Sequence, residues 1–225
     1  MRHYLSAFLL ALALPISAFA QVEKKSAYAI LIDNTGSLRT QFSQVKAFGK
    51  GIVARICQRG PVSLFNFKTQ GNKTNSLAVV TSGVEWSEDI SVLENYIDSI
   101  RVQPGQTTLL DAIYSVADSL NSKANVDSNA FSEKVIILIT DGEDRVSKVK
   151  EKQLVKQLRD SGVTVYAVGL VEELDREEAG FIRKSTRPEA EEFLKRLTKE
   201  TGGRVKFPKS NEQNVAGLLN ELFAK

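Results

Sequence analysis

The feature that most limits how this chain can fold is an alternation along its length. Short, wholly apolar runs give way to stretches whose apolar residues recur every three or four positions. Ala27-Tyr28-Ala29-Ile30-Leu31-Ile32 is one such run, and Val135 to Ile139 is the most apolar of them. A run without a polar face suits a strand covered on both sides. After the first run, Phe42, Val45, Gly49, Ile52, Val53 and Ile56 keep helical spacing until Gly60-Pro61 stops them. Val62 to Phe67 reads as a second strand, Lys68 to Ser76 as a polar hairpin loop, and Leu77 to Thr81 as an antiparallel edge strand. Ile90, Leu93, Ile97 and Ile100 predict a helix capped by Ser87. Leu110, Ile113, Ala117 and Leu120 predict the next. Leu154 and Leu158 mark a helix closed by Gly162, and Val163 to Val168 is another strand. Pro188 opens and Gly202 closes a helix carrying Ala190, Phe193, Leu194 and Leu197. Arg204 to Phe207 reads as a short last strand. Ser210 and Gln213 fit a capping box ahead of Val215, Leu218, Leu219 and Leu222.

Parallel strands need crossover connections, usually helices. The expected fold is therefore α/β: a doubly wound, mainly parallel open sheet of about six strands, one of them an antiparallel edge strand, with helices on both faces. In such sheets ligands bind at the carboxyl ends of the strands.

The beginning of the chain reads as an address. Arg2 and His3 precede an apolar run from Leu5 to Leu14, the breaker Pro15 and the small-residue pattern Ala18-Phe19-Ala20. These are the three parts of a secretory signal peptide. The run falls short of the ~20 apolar residues of a membrane span. The expectation is a signal peptide over 1–20, cleaved after Ala20, and a single domain over 21–225 that is secreted or periplasmic. Cleavage removes His3, the chain's one histidine, and leaves Cys57 as its one cysteine. That excludes Ser-His-Asp and Cys-His catalysis and zinc held by histidines or a thiolate cluster. A metal here is held by oxygen, which means a hard cation such as magnesium, calcium or manganese. A formal charge of +3 gives no field suited to nucleic acid. Cys57 lies on the apolar side of the first helix and reads as a core residue. Trp86 likewise reads as a packing residue.

Three strand exits carry oxygen-bearing side chains. The first strand ends in Asp33-Asn34-Thr35-Gly36-Ser37. Pro104-Gly105-Gln106-Thr107-Thr108 leads into the third helix. The most apolar strand ends in Thr140-Asp141-Gly142. Each has an ordinary reading taken singly: Asp33, Thr107 or Thr108 as helix caps, Asp141-Gly142 as a turn. A doubly wound sheet brings such loops to one edge. Asp33, Thr35 and Ser37 at alternate positions, with Thr107 and Asp141, would then offer three hydroxyls and two carboxylates. If the hydroxyls coordinate directly and the carboxylates through water, a cation so held stays electron-poor and accepts an anionic sixth ligand.

Together these motifs resemble the von Willebrand factor type A domain with a metal-ion-dependent adhesion site, over roughly Ser26 to Phe223. Asp33, Thr35 and Ser37 match the family's Asp-x-Ser-x-Ser, with Thr for the middle Ser. Gly105-Gln106-Thr107-Thr108-Leu109-Leu110-Asp111-Ala112 is similar to Gly-Gly-Thr-x-Leu-x-Asp-Ala, with Gln106 for the second Gly. That register selects Thr107 over Thr108. Ile139-Thr140-Asp141-Gly142 matches the third element. The signal peptide and single domain look most like the secreted bacterial branch.

The resemblance implies binding rather than turnover. It implies magnesium, with manganese or calcium as alternatives, held by Thr35, Ser37 and Thr107 directly and by Asp33 and Asp141 largely through water. The implied partner is a protein presenting an Asp or Glu carboxylate. Its rim would be Glu143, Asp144 and Arg145, together with the charged stretch over 171–187. That stretch carries Glu172, Glu173, Asp175, Glu177 and Glu178, then Arg183, Lys184 and Arg187.

The rival reading is a magnesium-dependent phosphatase of the haloacid-dehalogenase kind, with Asp33 as nucleophile and Thr140 or a lysine supporting the phosphate. That chemistry wants a second Asp two residues on, where this chain has Thr35. No phosphate-binding glycine motif follows a strand.

Overall fold

The computed structural model describes residues 25–72, 75–126, 131–175 and 185–224. The expected signal peptide lies outside these residues, as do Glu177, Glu178, Arg183 and Lys184 of the charged stretch.

The elements are β1 (Lys25–Ile32), α1 (Phe42–Ile56), β2 (Val62–Asn72), β3 (Asn75–Ser87), α2 (Ile90–Ser99), α3 (Leu109–Val126), β4 (Phe131–Thr140), α4 (Glu151–Asp160), β5 (Val163–Gly169), α5 (Arg187–Glu200), β6 (Val205–Lys206) and α6 (Val215–Leu222). The strands form one sheet in the order β3-β2-β1-β4-β5-β6, parallel except for β3. Alternate residues of β1 serve opposite faces. Tyr28, Ile30 and Ile32 pack with Phe48 and Ile52 of α1, Leu93 and Ile97 of α2 and Leu219 of α6. Ala27, Ala29 and Leu31 pack with Ile113 and Val116 of α3, Leu154 of α4 and Leu194 of α5. The doubly wound reading of the apolar runs therefore holds. Chain order leaves β1 in opposite directions, toward β2 on one side and β4 on the other. The switch point is the gap between the carboxyl ends of β1 and β4, where such sheets bind ligands.

The sequence reading of Lys68 to Ser76 as a loop is corrected. Both strands continue through it, pairing Lys68 with Val79, Gln70 with Leu77 and Asn72 with Asn75. The β1–β2 pairing stops at Ile32 with Asn66. Beyond it the two strands form a ribbon alongside the sheet, held by their own ladder and half open to water. Polar residues suit such a ribbon, so its composition hid its structure.

Two caps also differ from expectation. Asp89 caps α2, its Oδ1 accepting from the amides of Ser91 (2.8 Å) and Val92 (3.3 Å). The Ser87 hydroxyl instead accepts from the Asp89 amide. Asn214 caps α6 through the Gly217 amide, whereas the Ser210 hydroxyl donates to Glu173. Cys57 is buried, and Trp86 packs against the α3 side of the sheet, as expected.

Gly60, after α1, sits where the chain turns against the start of β1. A Cβ there would stand 1.9 Å from the Ser26 carbonyl oxygen, a backbone atom that cannot swing aside. Gly60→Ala is expected to cost about 1–3 kcal/mol by overpacking. A lower urea midpoint with an unchanged m-value would show it; an unchanged midpoint would refute the close approach.

Candidate metal centre

The first loop grows directly out of β1. The Asp33 amide donates to the Ile139 carbonyl at 2.9 Å, extending the β1–β4 ladder by one step. The side chain then folds the next residues around itself. Asp33 Oδ1 accepts from the Thr35 amide (3.0 Å) and the Thr35 hydroxyl (2.7 Å). This is the local turn that Asp favours. Asp33 Oδ2 accepts from the Thr140 hydroxyl at 2.7 Å. Thr35 Oγ1 lies 3.2 Å from Ser37 Oγ, so the two hydroxyls sit side by side.

The second loop is stitched to both of the others. The Gln103 amide donates to the Asn34 carbonyl (2.7 Å), and the Thr107 carbonyl accepts from the amides of Arg145 (3.0 Å) and Val146 (3.2 Å). Thr107 and Thr108 are both buried. The Thr108 hydroxyl lies 3.0 Å from that of Thr69 on the ribbon, which occupies it structurally. Asp111 binds the amides of Lys148 and Val149, fixing the first turn of α3 to the loop after β4.

The third loop carries the least satisfied group. Asp141 is 1% exposed. Its Oδ1 accepts from the Glu143 amide at 2.9 Å, but its Oδ2 has no hydrogen-bond donor. Burial, and then the negative charge of Asp33, push its pKa up to about 7, with the Ser37 hydroxyl close enough to pull it part of the way back. Burial likewise raises the pKa of Asp33, opposed by its bonds to Thr35 and Thr140. Two buried carboxylates this close are costly unless a proton or a cation lies between them. Among the described residues no three His, Cys, Asp or Glu groups cluster as a metal site. The oxygen-rich set is two carboxylates and neighbouring hydroxyls, which matches a hard divalent cation.

The rim residues differ in role. Glu143 is 7% exposed, with Oε2 bound by Arg145 (2.6 Å) and Oε1 by the Thr186 hydroxyl (2.6 Å). It braces its loop and leaves Arg145 as the solvent-facing member of that pair. Asp144 Oδ1 accepts from the Leu110 amide and from Ser147, so it holds the start of α3. In the 171–187 stretch, Glu172 and Glu173 bind Ser210, and Asp175 pairs with Arg187.

Sequence reasoning placed no structural weight on Thr140, Asn34 or Asp111. Thr140 is the strut between the two acidic loops: its hydroxyl donates to Asp33 and accepts from the Gly142 amide at 3.0 Å. Its position next to Asp141 was the available signal. For the phosphatase reading, Asp33 is 0% exposed and both its oxygens are engaged. That makes it an organiser of its loop and leaves little lone-pair freedom for attack.

The fold is shared with solved structures. The chain is similar to proximal thread matrix protein 1 from the mussel byssus, which has a zinc-occupied metal-ion-dependent adhesion site (MIDAS) motif (TM-score 0.63, 19% identity, covering 89% of this chain and 47% of that one). It is also similar to the conserved hypothetical protein BatB from Bacteroides thetaiotaomicron (TM-score 0.53, 14% identity, covering 87% and 96%). At these identities the likeness is one of fold. The chain spans about half the length of the mussel protein. Comparison with curated proteins gives no match. The model of the von Willebrand factor type A domain matches residues 29–221, and with its six-stranded sheet and its loops gathered at the β1–β4 switch point, the chain belongs to that family.

Proposed function

We propose that this protein is a secreted or periplasmic protein-binding module whose divalent cation takes an acidic group of a partner protein. The single observation that carries this reading is the buried Asp141 carboxylate, with an orphan oxygen beside Asp33 and the Thr35–Ser37 hydroxyl pair. Such an arrangement is unfavourable in itself and becomes favourable around a cation. Thr35, Ser37, Thr107, Asp33 and Asp141 would hold the ion. When bound, the ion supplies an electrophilic position for a partner carboxylate. The chain's own part is to fix the hydroxyls through the Asp33 turn, hold the two buried carboxylates behind them and present Arg145 beside them. Magnesium suits the oxygen-only donor set; zinc is worth testing because the mussel protein holds it. The signal-peptide reading of residues 1–20 supports export. No helix among the described residues is long and apolar enough to cross a membrane.

Both carboxylates must be ionised to bind a cation, so protons compete with it below about pH 7, the value to which Asp141 is raised. Magnesium at about 100 times its dissociation constant is expected to stabilise the domain by about 2.7 kcal/mol. The rise in melting temperature should be full above neutrality and fade as the pH falls through 7 toward 5. EDTA should abolish the rise and release protein partners captured from the native secretome. Capture that is indifferent to EDTA would overturn the reading.

A further inference from the structure

Beside the metal centre, on its β2–β3 side, lies a second cavity of about 270 Å³. Its lining includes Asn34, Asn66, Lys68, Tyr96, Arg101 and Gln103. Asn34 belongs to both sites, because it stands between Asp33 and Thr35. The β1–β2 register ends with Ile32 beside Asn66, and just beyond it Asn34 and Lys68 both line the cavity.

The cavity's chemistry is lopsided. Among the described residues the Lys68 ammonium has no hydrogen-bond or ion-pair partner. Arg101 donates to the carbonyls of Asp98 (2.6 Å) and Ile100 (3.1 Å), and among the described residues its guanidinium hydrogen-bonds no carboxylate, although the Asp98 charge is within its electrostatic reach. Asp98, the nearby acid, is taken by Lys50 at 2.7 Å. Tyr96 accepts from the Asn66 amide group at 2.7 Å, which leaves its O–H proton to donate. Among the buried side-chain acceptors of the lining, one lacks a partner. Asn34 is 2% exposed, and its Nδ2 donates to the Arg101 carbonyl at 2.9 Å, which fixes the amide's orientation. Its Oδ1 is then a buried acceptor with no partner.

Unpaired buried acceptors cost free energy, and two cations that no carboxylate hydrogen-bonds leave an excess of positive charge open to an anion. A ligand that answers both needs a carboxylate and an N–H donor on one small frame. That is the chemistry of an acidic residue in a peptide. The volume is below the ~300–1,000 Å³ of pockets that enclose whole small molecules, so it suits one or two residues of a longer chain. On the other side of the metal centre Glu172 and Glu173 would repel an acidic chain, Asp175 being paired with Arg187.

We infer that the Lys68–Arg101–Asn34 cavity is a second binding site for the partner, taking a further acidic residue of the peptide segment whose first carboxylate reaches the metal. The partner segment thus carries two acidic residues, and it runs from the metal centre toward the β2–β3 ribbon. This deepens the proposed function and rests on it for the first contact alone. The cavity's own contact is independent of the metal.

The test is backbone-amide NMR on the signal-free chain with two kinds of probe. In EDTA, acetyl-aspartate N-methylamide is expected to shift the amides of Asn34, Lys68 and Gln103 while those of Ser37 and Gly142 stay put. The exposed double variant Lys68→Ala/Arg101→Ala should remove those shifts. With saturating magnesium, peptides holding two aspartates separated by progressively more glycines are then compared with a one-aspartate peptide. The best spacing should bind about tenfold tighter through linked contacts, and the double variant should lose that gain while still binding magnesium. No shift at the cavity in EDTA, or shifts unchanged by the double variant, overturns the inference. No gain for any spacing overturns the two-residue partner. Cavity shifts that persist while magnesium adds nothing would instead count against the metal reading alone.

Discussion

Asp141→Asn is expected to raise the stability of the metal-free domain above neutral pH while removing its response to magnesium. The two effects share one cause. Asp141 is buried, its Oδ2 lacks a donor and its charge faces that of Asp33. Its pKa is raised from 3.8 to about 7. For a carboxylate raised in this way the folded state holds its proton longer than the unfolded chain does. The metal-free domain therefore loses stability as pH rises from about 4 to 7, and below 4 this group costs nothing. Asn keeps the shape and the bond from the Glu143 amide but carries no charge. Its advantage should be absent near pH 4, grow up to pH 7 and then level off. A few kcal/mol at the plateau would shift the melting temperature by about 2–4 °C for each kcal/mol in a domain of this size. Loss of the carboxylate should weaken magnesium binding by about 100-fold. Thermal melts across pH, with EDTA and with magnesium, read both effects. A variant less stable than the parent at pH 8 in EDTA would refute the account of Asp141 as an unpaired buried charge.

How far the sequence alone reached follows from the range of each signal. Apolar runs such as Ala27 to Ile32 report burial on two faces, and burial decides sheet layering, so the doubly wound order was legible. The Lys68–Ser76 stretch was not. A ribbon beyond the sheet buries neither face fully, and it is held by a ladder that any backbone can make. The local caps failed because neighbouring oxygens compete: Ser87 and Asp89 both suit the start of α2, and only the entry path of the chain chooses between them. For the site, the residue types at the three strand exits were legible, and the meeting of their loops followed from topology. The supporting contacts were not, because they span long sequence distances. Thr140 joins Asp33 across 107 residues, and Thr69 meets Thr108 from the ribbon. Glu143 read as a solvent-facing rim residue because nothing local announces Thr186, which arrives from the start of α5.

Asp33→Ala, by contrast, is expected to cost stability at every pH, with or without a metal. The two acids of the site look equivalent in sequence, but their surroundings are opposite. Asp141 leaves an acceptor empty. Asp33 fills three donors: the Thr35 amide, the Thr35 hydroxyl and the Thr140 hydroxyl. Alanine would strand buried donors at about 1–3 kcal/mol each where water cannot reach them. It would also open a small void at the switch point. The gain from removing one of two like charges offsets part of this. A net loss of about 3 kcal/mol is expected, which lowers the melting temperature by about 6–12 °C in EDTA. The Thr35–Ser37 hydroxyl pair would lose its anchor, so magnesium binding should fail as well. Loss of partner capture in Asp33→Ala thus has two sources, a missing ligand and a slackened loop. Loss in Asp141→Asn has only the first. If Asp33→Ala melts with the parent in EDTA, the three hydrogen bonds contribute little and Asp33 serves the cation alone. If it melts well below the parent while Asp141→Asn melts above, one acid builds the loop and the other waits for the ion.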